Sequence, residues 1–358
     1  MSRSGAAVAA YGLPSEHDVA TVTSGSSFGA ELATAEQQRT LGLLGAAVRD
    51  GAIAVTGDER AMLETSWRSW LGHSLRVEQL VLRALSVLAE AGIDARVLKG
   101  VALAHTLYAD PALRVFADVD LLVPSRDFSR SAALLADALG GVRGVPELRP
   151  GFDDQFGKEA LVRISGLELD LHRTFVEGAY GLTVDLDDLF TPPYRFPLAG
   201  FELSGLPMPQ RLLHASYAAA LGDWPPRLAS LRDVAELVLR ERPPLVEVLL
   251  MARRWRCEAV VARAVTQAWE TLRITTRAPI VEWAERFAPS RTDRMLLASH
   301  AGPARAFTRH LAAVVVLPDT STRLRYVGAI VRPQPAYLRA RAMTPTQHVK
   351  RAVRGIIR

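Results

Sequence analysis

Apolar residues in the first third of the chain follow the spacing of an amphipathic helix. Between Trp67 and Glu90 they recur every three or four positions, and polar residues occupy the positions between them. Such a period places the apolar side chains on one face of a helix. The pair Ala91-Gly92 follows, and glycine readily adopts the backbone conformation that ends a helix. The pattern predicts helices over residues 33–92, the last of them ending at this glycine.

After this glycine the apolar runs become shorter and alternate with helical ones. The runs ARVLKG and FADVDLLVP are typical of strands, and a helical pattern covers residues 125–139. Two further extended runs, EALVRIS and LELDLHRTF, are joined by Ser165-Gly166, which favours a hairpin. We therefore predict an α/β fold of the α+β kind, with a small mixed-sheet core over residues 93–200.

The two ends of the chain differ from this core. Residues 1–32 are rich in Gly, Ser, Ala and Thr without a sustained period, which predicts a loose N-terminal tail. After a proline-rich stretch, helical periodicity returns and predicts a helical domain over residues 201–322. Residues 323–358 follow as a basic C-terminal segment in which prolines prevent any long helix.

Charge is distributed unevenly along the chain. The whole chain carries a net charge of +5, yet nine basic residues and no acidic one follow from Arg323 onward. The preceding 322 residues therefore carry a net charge of −4. A long nucleic acid needs many basic contacts to its phosphates, and the body of the chain has no evident basic groove for one. Nucleic acid is consequently disfavoured as a partner.

Cysteine content and hydropathy bear on the compartment. Cys257 is the only cysteine, so neither an intramolecular disulfide nor a Cys-rich zinc site is expected. The strongly apolar stretch at Leu311–Leu317 is much shorter than the roughly 20 residues needed to cross a bilayer. We expect no membrane span and a reducing, cytoplasmic location.

Two aspartates in the run FADVDLLV are the first candidates for chemistry. Asp118 and Asp120 are two positions apart in a predicted strand, so alternation places both carboxylates on one face, with Cα atoms roughly 6.5 to 7 Å apart. Two like charges repel one another unless a cation lies between them. Mg²⁺ suits this position because it prefers carboxylates together with substrate phosphates.

The run LELDLHRTF supplies a third carboxylate. Glu168, Asp170 and His172 fall on one face of the predicted strand, and leucines occupy the other. Either Glu168 or Asp170 can complete a set of three carboxylates, which can hold two Mg²⁺ ions for an in-line displacement at phosphorus. His172 is then a candidate to orient a ligand or to carry a proton.

Basic residues near the aspartates are candidates to hold a phosphate. Lys99 and Gly100 lie where the first predicted strand ends and a helix begins, so that backbone N–H groups and a glycine allow an anion to approach closely. Arg114 precedes Asp118 in the loop entering the strand, and its planar guanidinium matches phosphate oxygens. The alternative for Lys99 is a solvated lysine at the end of a strand, and the alternative for Arg114 is a surface ion pair.

Together these residues resemble the nucleotidyltransferase superfamily of polymerase-beta-like and aminoglycoside-modifying enzymes, and more closely its uncharacterised bacterial "NTP transferase 5" family. The similarity covers roughly residues 35–340. It is carried by VLKG at 97–100, LYADPALR at 107–114, DVDLLV at 118–123 and LDLHRTF at 169–175. A later stretch resembles the family's helical segment and contains His214 and Asp233, although a histidine among leucines is more often a core residue.

The resemblance implies a minimal nucleotidyltransferase fold in which Asp118, Asp120 and Asp170 bind Mg²⁺ or Mn²⁺. It implies an NTP such as ATP as co-substrate, and transfer of its nucleoside monophosphate to a hydroxyl or phosphate with release of pyrophosphate. A small molecule, a peptide or a protein is the expected acceptor. The sequence departs from the superfamily in having Lys99-Gly100 where a Gly-Ser or Gly-Gly pair is usual, and Ala117 where many relatives have serine.

Two alternative functions are also compatible with an Asp-x-Asp motif in such a chain. A nucleotide-sugar-dependent glycosyltransferase can also use an Asp-x-Asp motif, but it needs an α/β nucleotide-binding half before the motif, where this chain is predicted to be helical. A noncatalytic relative with an antitoxin-like or scaffolding role is the other alternative. Retention of three mutually repulsive carboxylates disfavours it.

Overall fold

The structure is a computed structural model that describes residues 3–22, 28–301 and 305–348. Four basic residues of the predicted C-terminal segment lie outside the described residues: Lys350, Arg351, Arg354 and Arg358. No described helix has both the length and the apolar character needed to cross a membrane.

Four α-helices precede the sheet in the described part of the chain. They are α1 (Arg3–Ala10), α2 (Phe28–Gln37), α3 (Leu41–Arg49) and α4 (Gly57–Glu90). The long helix α4 begins with a capping box in which Thr56 and Glu59 satisfy each other's backbone N–H groups. It ends where the sequence predicted, because Gly92 has a positive φ of 70°.

Helix α1 differs from the loose N-terminal tail that the composition predicted. Residues Ala6 to Ala10 are buried, and Ala9 and Ala10 belong to the main helical core. Arg232 donates hydrogen bonds to the carbonyl oxygens of Ala9 and Tyr11, both at 2.7 Å. Alanine is the strongest helix former and allows close helix packing, but an alanine-rich segment shows little contrast between apolar and polar faces. The periodicity therefore missed it.

A mixed sheet of seven strands forms the centre of the fold, in the order β3-β4-β5-β2-β1-β7-β6. The strands are β1 (Arg96–Val97), β2 (Val119–Leu122), β3 (Val142–Arg143), β4 (Glu159–Ile164), β5 (Leu167–His172), β6 (Tyr194–Leu198) and β7 (Phe201–Gly205). Strand β2 pairs antiparallel with β1 and parallel with β5, which confirms the mixed α/β prediction with strands of both directions.

Two hairpins illustrate how local turns set the sheet. The predicted hairpin is formed by β4 and β5, and its turn has positive φ angles at Ser165 and Gly166. A second hairpin pairs β6 with β7 through Ala199 and Gly200, which also have positive φ angles. The predicted domain boundary at residue 200 falls inside this second turn, so the sheet extends beyond it to Gly205. The prolines of this stretch, one of them in β6, concealed the two strands in the sequence.

Helices cover one face of the sheet. The α-helices between β1 and β6 in the chain are α5 (Lys99–Thr106), α6 (Phe128–Ala138), α7 (Phe152–Phe156) and α8 (Ala179–Leu182). Apolar residues of α4 and α6 pack against Val119, Leu121, Leu169 and Leu171 of the two central strands in one buried cluster. Because side chains alternate along a strand, the residues between these face the opposite side of the sheet.

A helical region follows the sheet. Its helices are α9 (Gln210–Tyr217), α10 (Leu228–Glu236), α11 (Leu245–Arg254), α12 (Glu258–Leu272), α13 (Pro279–Arg286), α14 (Arg291–Ala298), α15 (Arg305–Val316), α16 (Thr320–Val331) and α17 (Pro335–Ala340). The largest buried cluster is built mainly from α9 to α13, and it also includes Leu98, Leu122 and Phe175 from the edge of the candidate site. The predicted helical character of this part of the chain is confirmed.

Candidate active site

The two central parallel strands bring the candidate ligands together. Their register pairs Asp120 of β2 with Asp170 of β5, and Leu122 with His172. The leucines of β5 are buried against the helices of the other face, so Asp170 and His172 lie on the same face as Asp120. The alternation read from the sequence thus places these side chains as expected.

Asp120, Asp170 and His172 form a group that can hold a metal ion. Each offers one ligand atom, and these atoms lie within 4.8 Å of one another. His172 Nε2 is 2.8 Å from Asp120 Oδ1, and His172 Nδ1 is 3.5 Å from Glu159 Oε2. Asp120 and His172 are both buried. Such a set of oxygen and nitrogen atoms suits a divalent cation.

Lys99 compensates the charge of Asp120. Its Nζ lies 3.0 Å from Asp120 Oδ1, at the start of α5. Burial alone would raise the pKa of Asp120, but Lys99 and His172 hold that pKa well below its usual range. Burial opposes the charge on Lys99 in the same way, and Asp120 and Asp118 raise its pKa above the ordinary value. Asp120 is therefore ionised at neutral pH.

Asp170 is the uncompensated member of the group. Burial, followed by the neighbouring charges of Glu159 and Asp120, raises its pKa to about 6, although the charges of His172 and Lys99 lower it. Throughout the described ranges, no side chain donates a hydrogen bond to its carboxylate or forms an ion pair with it. A half-buried carboxylate among other negative charges is stabilised by a cation, so the residues present fit a bound metal ion.

Asp118 lies beside this group but has a different partner. It immediately precedes β2 and is bound by Arg39, whose Nη1 is 3.1 Å from Oδ1 and whose Nη2 is 3.5 Å from Oδ2. The three-residue group does not include it. The structure therefore brings Asp120 and Asp170 together directly and places Asp118 next to them, in an ion pair with Arg39.

Glu168 lies outside the three-residue group and forms an ion pair instead. Its side chain is 54% exposed and pairs with Arg163 at 3.3 Å. Arg163 lies opposite Glu168 on β4, so this is a cross-strand ion pair near the hairpin turn.

Arg114 is not placed as the sequence suggested. Its side chain is buried, and Nε and Nη2 each donate a 2.9 Å hydrogen bond to the carboxylate of Asp233 on α10. Nη1 donates to the carbonyl oxygen of Val115 at 2.6 Å. All three nitrogen atoms are thus engaged in the interior, and the structure corrects the expectation that Arg114 reaches a phosphate. The loop before β2 turns this side chain towards the helical region.

Gly100 has a packing role that the sequence did not indicate. It is the second residue of α5, and a Cβ atom there would lie 3.1 Å from the Cβ of Phe116. The missing side chain lets α5 approach the segment that enters β2. The start of this helix, with Lys99, consequently lies next to the carboxylates.

Three charged residues at the site were missed. Glu159 pairs with His172 in the register of β4 and β5, so the alternation of EALVRIS contained the signal. The adjacent Lys158 forms an ion pair with Glu159. Burial alone would raise the pKa of Glu159, but the charges of Lys158, His172 and Lys99 lower it below the ordinary value. Arg39 comes from the turn between α2 and α3, and no local pattern could have connected it with Asp118.

His214 lies in the interior near the site. Its ring is 4.5 Å from that of Phe175, and burial, followed by the charges of Lys99 and His172, lowers its pKa to about 3. It is therefore neutral at physiological pH, in agreement with a core histidine.

Comparison with known proteins adds the family. A family model described as an uncharacterised nucleotidyltransferase matches residues 26–273. A search among curated proteins finds no match. A similar solved structure is described as the antibiotic-resistance factor ANT(2'')-Ia, with 17% sequence identity, a TM-score of 0.29, and coverage of 56% of this chain and 92% of that chain. The family match agrees with the resemblance found in the sequence motifs. Since it spans well over half of the chain, this protein belongs to that family of nucleotidyltransferases.

Proposed function

We propose that this chain is a Mg²⁺-dependent nucleotidyltransferase that transfers a nucleoside monophosphate from an NTP to an acceptor and releases pyrophosphate. Mn²⁺ is the alternative metal and ATP the first NTP to test. The observation that carries the proposal is the cluster of Asp120, Asp170 and His172, whose ligand atoms lie within 4.8 Å of one another on the face of the sheet opposite to α4 and α6. Family membership supplies the reaction class.

The carboxylates have distinct roles in this proposal. Asp118 and Asp120 hold metal, and Asp170 ligates it and accepts the proton of the acceptor hydroxyl. A bound divalent ion supplies charge stabilisation at the reacting phosphorus. His172 orients Asp120 through the 2.8 Å contact between Nε2 and Oδ1. Asp120 is ionised at neutral pH and is therefore the carboxylate best suited to bind the metal ion directly.

Lys99 is the proposed phosphate-binding residue. It lies at the first position of α5, 3.0 Å from Asp120, and its side chain is 30% exposed. A lysine at a helix N-terminus attracts an anion through its own charge and through the backbone N–H groups of the first turn, including that of Gly100. The triphosphate is therefore proposed to lie between Lys99 and the carboxylates.

The acceptor is proposed to be a hydroxyl or phosphate of a small molecule, a peptide or a protein, in the cytoplasm. The net charge of −4 on residues 1–322 supports this choice, since a long nucleic acid requires many basic contacts. Against the glycosyltransferase alternative, the described residues before β1 contain helices α1 to α4 and no strand of the sheet. The noncatalytic alternative becomes an outcome of the test.

The test incubates the purified chain with each NTP, Mg²⁺ or Mn²⁺, and panels of small-molecule and peptide acceptors. Pyrophosphate release and a nucleotide-sized mass increase of the acceptor are measured together. We expect both signals in the wild type, and their loss in Asp118→Asn and Asp120→Asn without loss of folding, seen as a cooperative thermal unfolding transition above the assay temperature. Wild-type protein that binds no Mg²⁺-NTP, or full activity in both variants, contradicts the proposal and favours a noncatalytic role.

A further inference from the structure

We propose that Arg39 is a nucleotide-binding residue that exchanges its partner, from the Asp118 carboxylate to the phosphates of the incoming metal–NTP complex. The inference rests on the proposed function. Its starting observation is that a carboxylate proposed to hold metal is bound by a guanidinium, through contacts of 3.1 and 3.5 Å. A metal ion bound to this carboxylate would compete with Arg39 for its negative charge and for its two oxygen atoms.

The position of Arg39 is fixed by its surroundings. Its backbone has a φ of 56°, which is uncommon for a residue with a side chain, in the turn between α2 and α3. Next to it, the side-chain oxygen of Gln38 accepts a hydrogen bond from the N–H of Leu228, and the carbonyl oxygen of Gln38 accepts one from Ala229. The turn is thereby attached to the start of α10. This conformation ends α2 in the usual way, because the N–H groups of Arg39 and Thr40 donate to the carbonyl oxygens of Glu36 and Ala35 at 3.1 and 2.8 Å.

The other side of this turn is packed against the segment that leads to the site. A Cβ atom on Gly42 would lie 2.3 Å from the carbonyl oxygen of Ala112, so the backbones of α3 and residues 111–113 are in direct contact. Arg39 is consequently held between the helical region and the loop that enters β2. Its side chain is 20% exposed and that of Asp118 is 21% exposed, so both remain accessible to a ligand.

The charge around Arg39 favours an anion. Arg227 lies at the start of α10. Its pKa is lowered by burial first, and then by the positive charge of the nearby Arg39. Asp223 and Asp118 are the carboxylates that counteract this repulsion. A metal ion held by Asp118 would weaken the attraction between that carboxylate and Arg39, while Arg227 would stay beside Arg39. Guanidinium groups bind phosphate oxygens in a planar, two-pronged geometry, so a triphosphate is the anion that fits.

This partner exchange predicts effects of opposite sign on two ligands. Arg39→Met keeps the length and the apolar stem of the side chain but removes the charge. We expect it to weaken binding of a fluorescent NTP analogue in the presence of Ca²⁺ at least about tenfold, because a charge-assisted hydrogen bond is lost. We also expect it to tighten binding of Mn²⁺ measured by electron paramagnetic resonance without nucleotide, because a competing cation is removed.

Controls separate this role from a structural one. Arg49→Met removes an arginine of α3 whose side chain is 63% exposed and lies 3.8 Å from the carboxylate of Asp50. This variant should bind the NTP analogue and Mn²⁺ as tightly as the wild type does. Arg39→Lys should restore part of the nucleotide affinity. Unchanged nucleotide binding in Arg39→Met, or weaker Mn²⁺ binding in a variant that melts like the wild type, overturns the inference while the proposed function stands. Wild-type protein that binds no metal–NTP overturns both.

Discussion

At the scale of single residues, two acidic side chains on β5 show how environment separates similar residues. Asp170 and Glu168 point to the same face of the strand. The side chain of Asp170 lies among Asp120, His172 and Glu159. The side chain of Glu168 instead lies near the hairpin turn, beside Arg163. Sequence alternation alone left both open as the third carboxylate. The geometry supports Asp170 and makes Glu168 a matched control.

We predict that Asp170→Asn weakens Mn²⁺ binding and that Glu168→Gln does not. Loss of even an outer partner of a metal ligand commonly reduces affinity about 10-fold to 100-fold, so a direct ligand should cost at least about tenfold. Electron paramagnetic resonance titration of the free ion measures both variants. Equal loss in the two variants, or loss only in Glu168→Gln, would exchange their roles.

His214 provides a prediction about pH. Its folded-state pKa of about 3 lies below the ordinary value near 6.5, so the neutral ring stabilises the fold above pH 6.5. This contribution is lost as the pH falls from 6.5 towards 3, because the unfolded chain binds the proton more tightly. Between pH 7 and pH 5 the loss from this residue should be about 2 kcal/mol.

The measurement compares urea unfolding of the wild type and His214→Gln at pH 7 and pH 5. The glutamine stays neutral, so the variant should lose about 2 kcal/mol less than the wild type over this interval. Carboxylates that titrate elsewhere affect both proteins alike and cancel in the comparison. Parallel losses in the two proteins would show that His214 is not protonated on unfolding in this range.

At the scale of elements, two glycines of helix α3 differ in what surrounds them. A Cβ atom at Gly42 would lie 2.3 Å from the carbonyl oxygen of Ala112 and 2.6 Å from that of Leu113. A Cβ atom at Gly45 would meet only the ring of Trp67, at 3.5 Å. The first glycine is required by the contact between α3 and the loop before β2, and the second is not.

We therefore predict that Gly42→Ala lowers the free energy of unfolding by about 1–3 kcal/mol, the usual effect of overpacking. Gly45→Ala should leave it unchanged or raise it by up to about 1 kcal/mol, because alanine favours a helix over glycine. Thermal and urea unfolding of both variants check this. A neutral Gly42→Ala would mean that α3 shifts away from the loop without loss, and nucleotide affinity would then report whether Arg39 shifts with it.

Elements whose signals are local were predictable from the sequence, and those that depend on remote partners were not. The β4–β5 hairpin follows from alternating residues around a Ser-Gly turn, and α4 from a 3.6-residue period that ends at Gly92. Helix α1 lacks such contrast, because its stability comes from close packing and from Arg232 far along the chain. Strand β7 needed knowledge of its pairing with β1.

The same distinction applies to the candidate site. Asp120, Asp170 and His172 lie on two strands whose faces the sequence sets, so they could be predicted to share a side of the sheet. The partners of Arg39 and Arg114 are 79 and 119 positions away along the chain, and no short-range pattern reports such contacts. Charge type alone suggested a phosphate for Arg114, where the fold provides Asp233.

At the scale of the whole molecule, a buried ion pair connects the sheet to the helical region. Arg114 and Asp233 are 6% and 5% exposed, and Tyr108 also donates a hydrogen bond to Asp233 Oδ1 at 2.8 Å. Burial opposes the charge on Arg114, but Asp233 raises its pKa above the ordinary value. This contact fixes α10 relative to the loop that carries Asp118, and α10 in turn holds the turn with Arg39.

We predict that Arg114→Met lowers the free energy of unfolding by about 3–5 kcal/mol, because it leaves a buried carboxylate without its counter-ion. The double variant Arg114→Met/Asp233→Leu should lose less than the sum of the two single variants, by at least about 2 kcal/mol, since neither charge is then left unpaired. Urea unfolding of the four proteins completes the cycle.

Nucleotide affinity distinguishes Arg114 from Arg39. In protein that remains folded, Arg114→Met should weaken nucleotide binding less than Arg39→Met, because Arg114 acts on the proposed phosphate site only through the placement of α10 and of the loop that carries Asp118. A large loss of nucleotide affinity with an unchanged unfolding free energy would return Arg114 to the phosphate site.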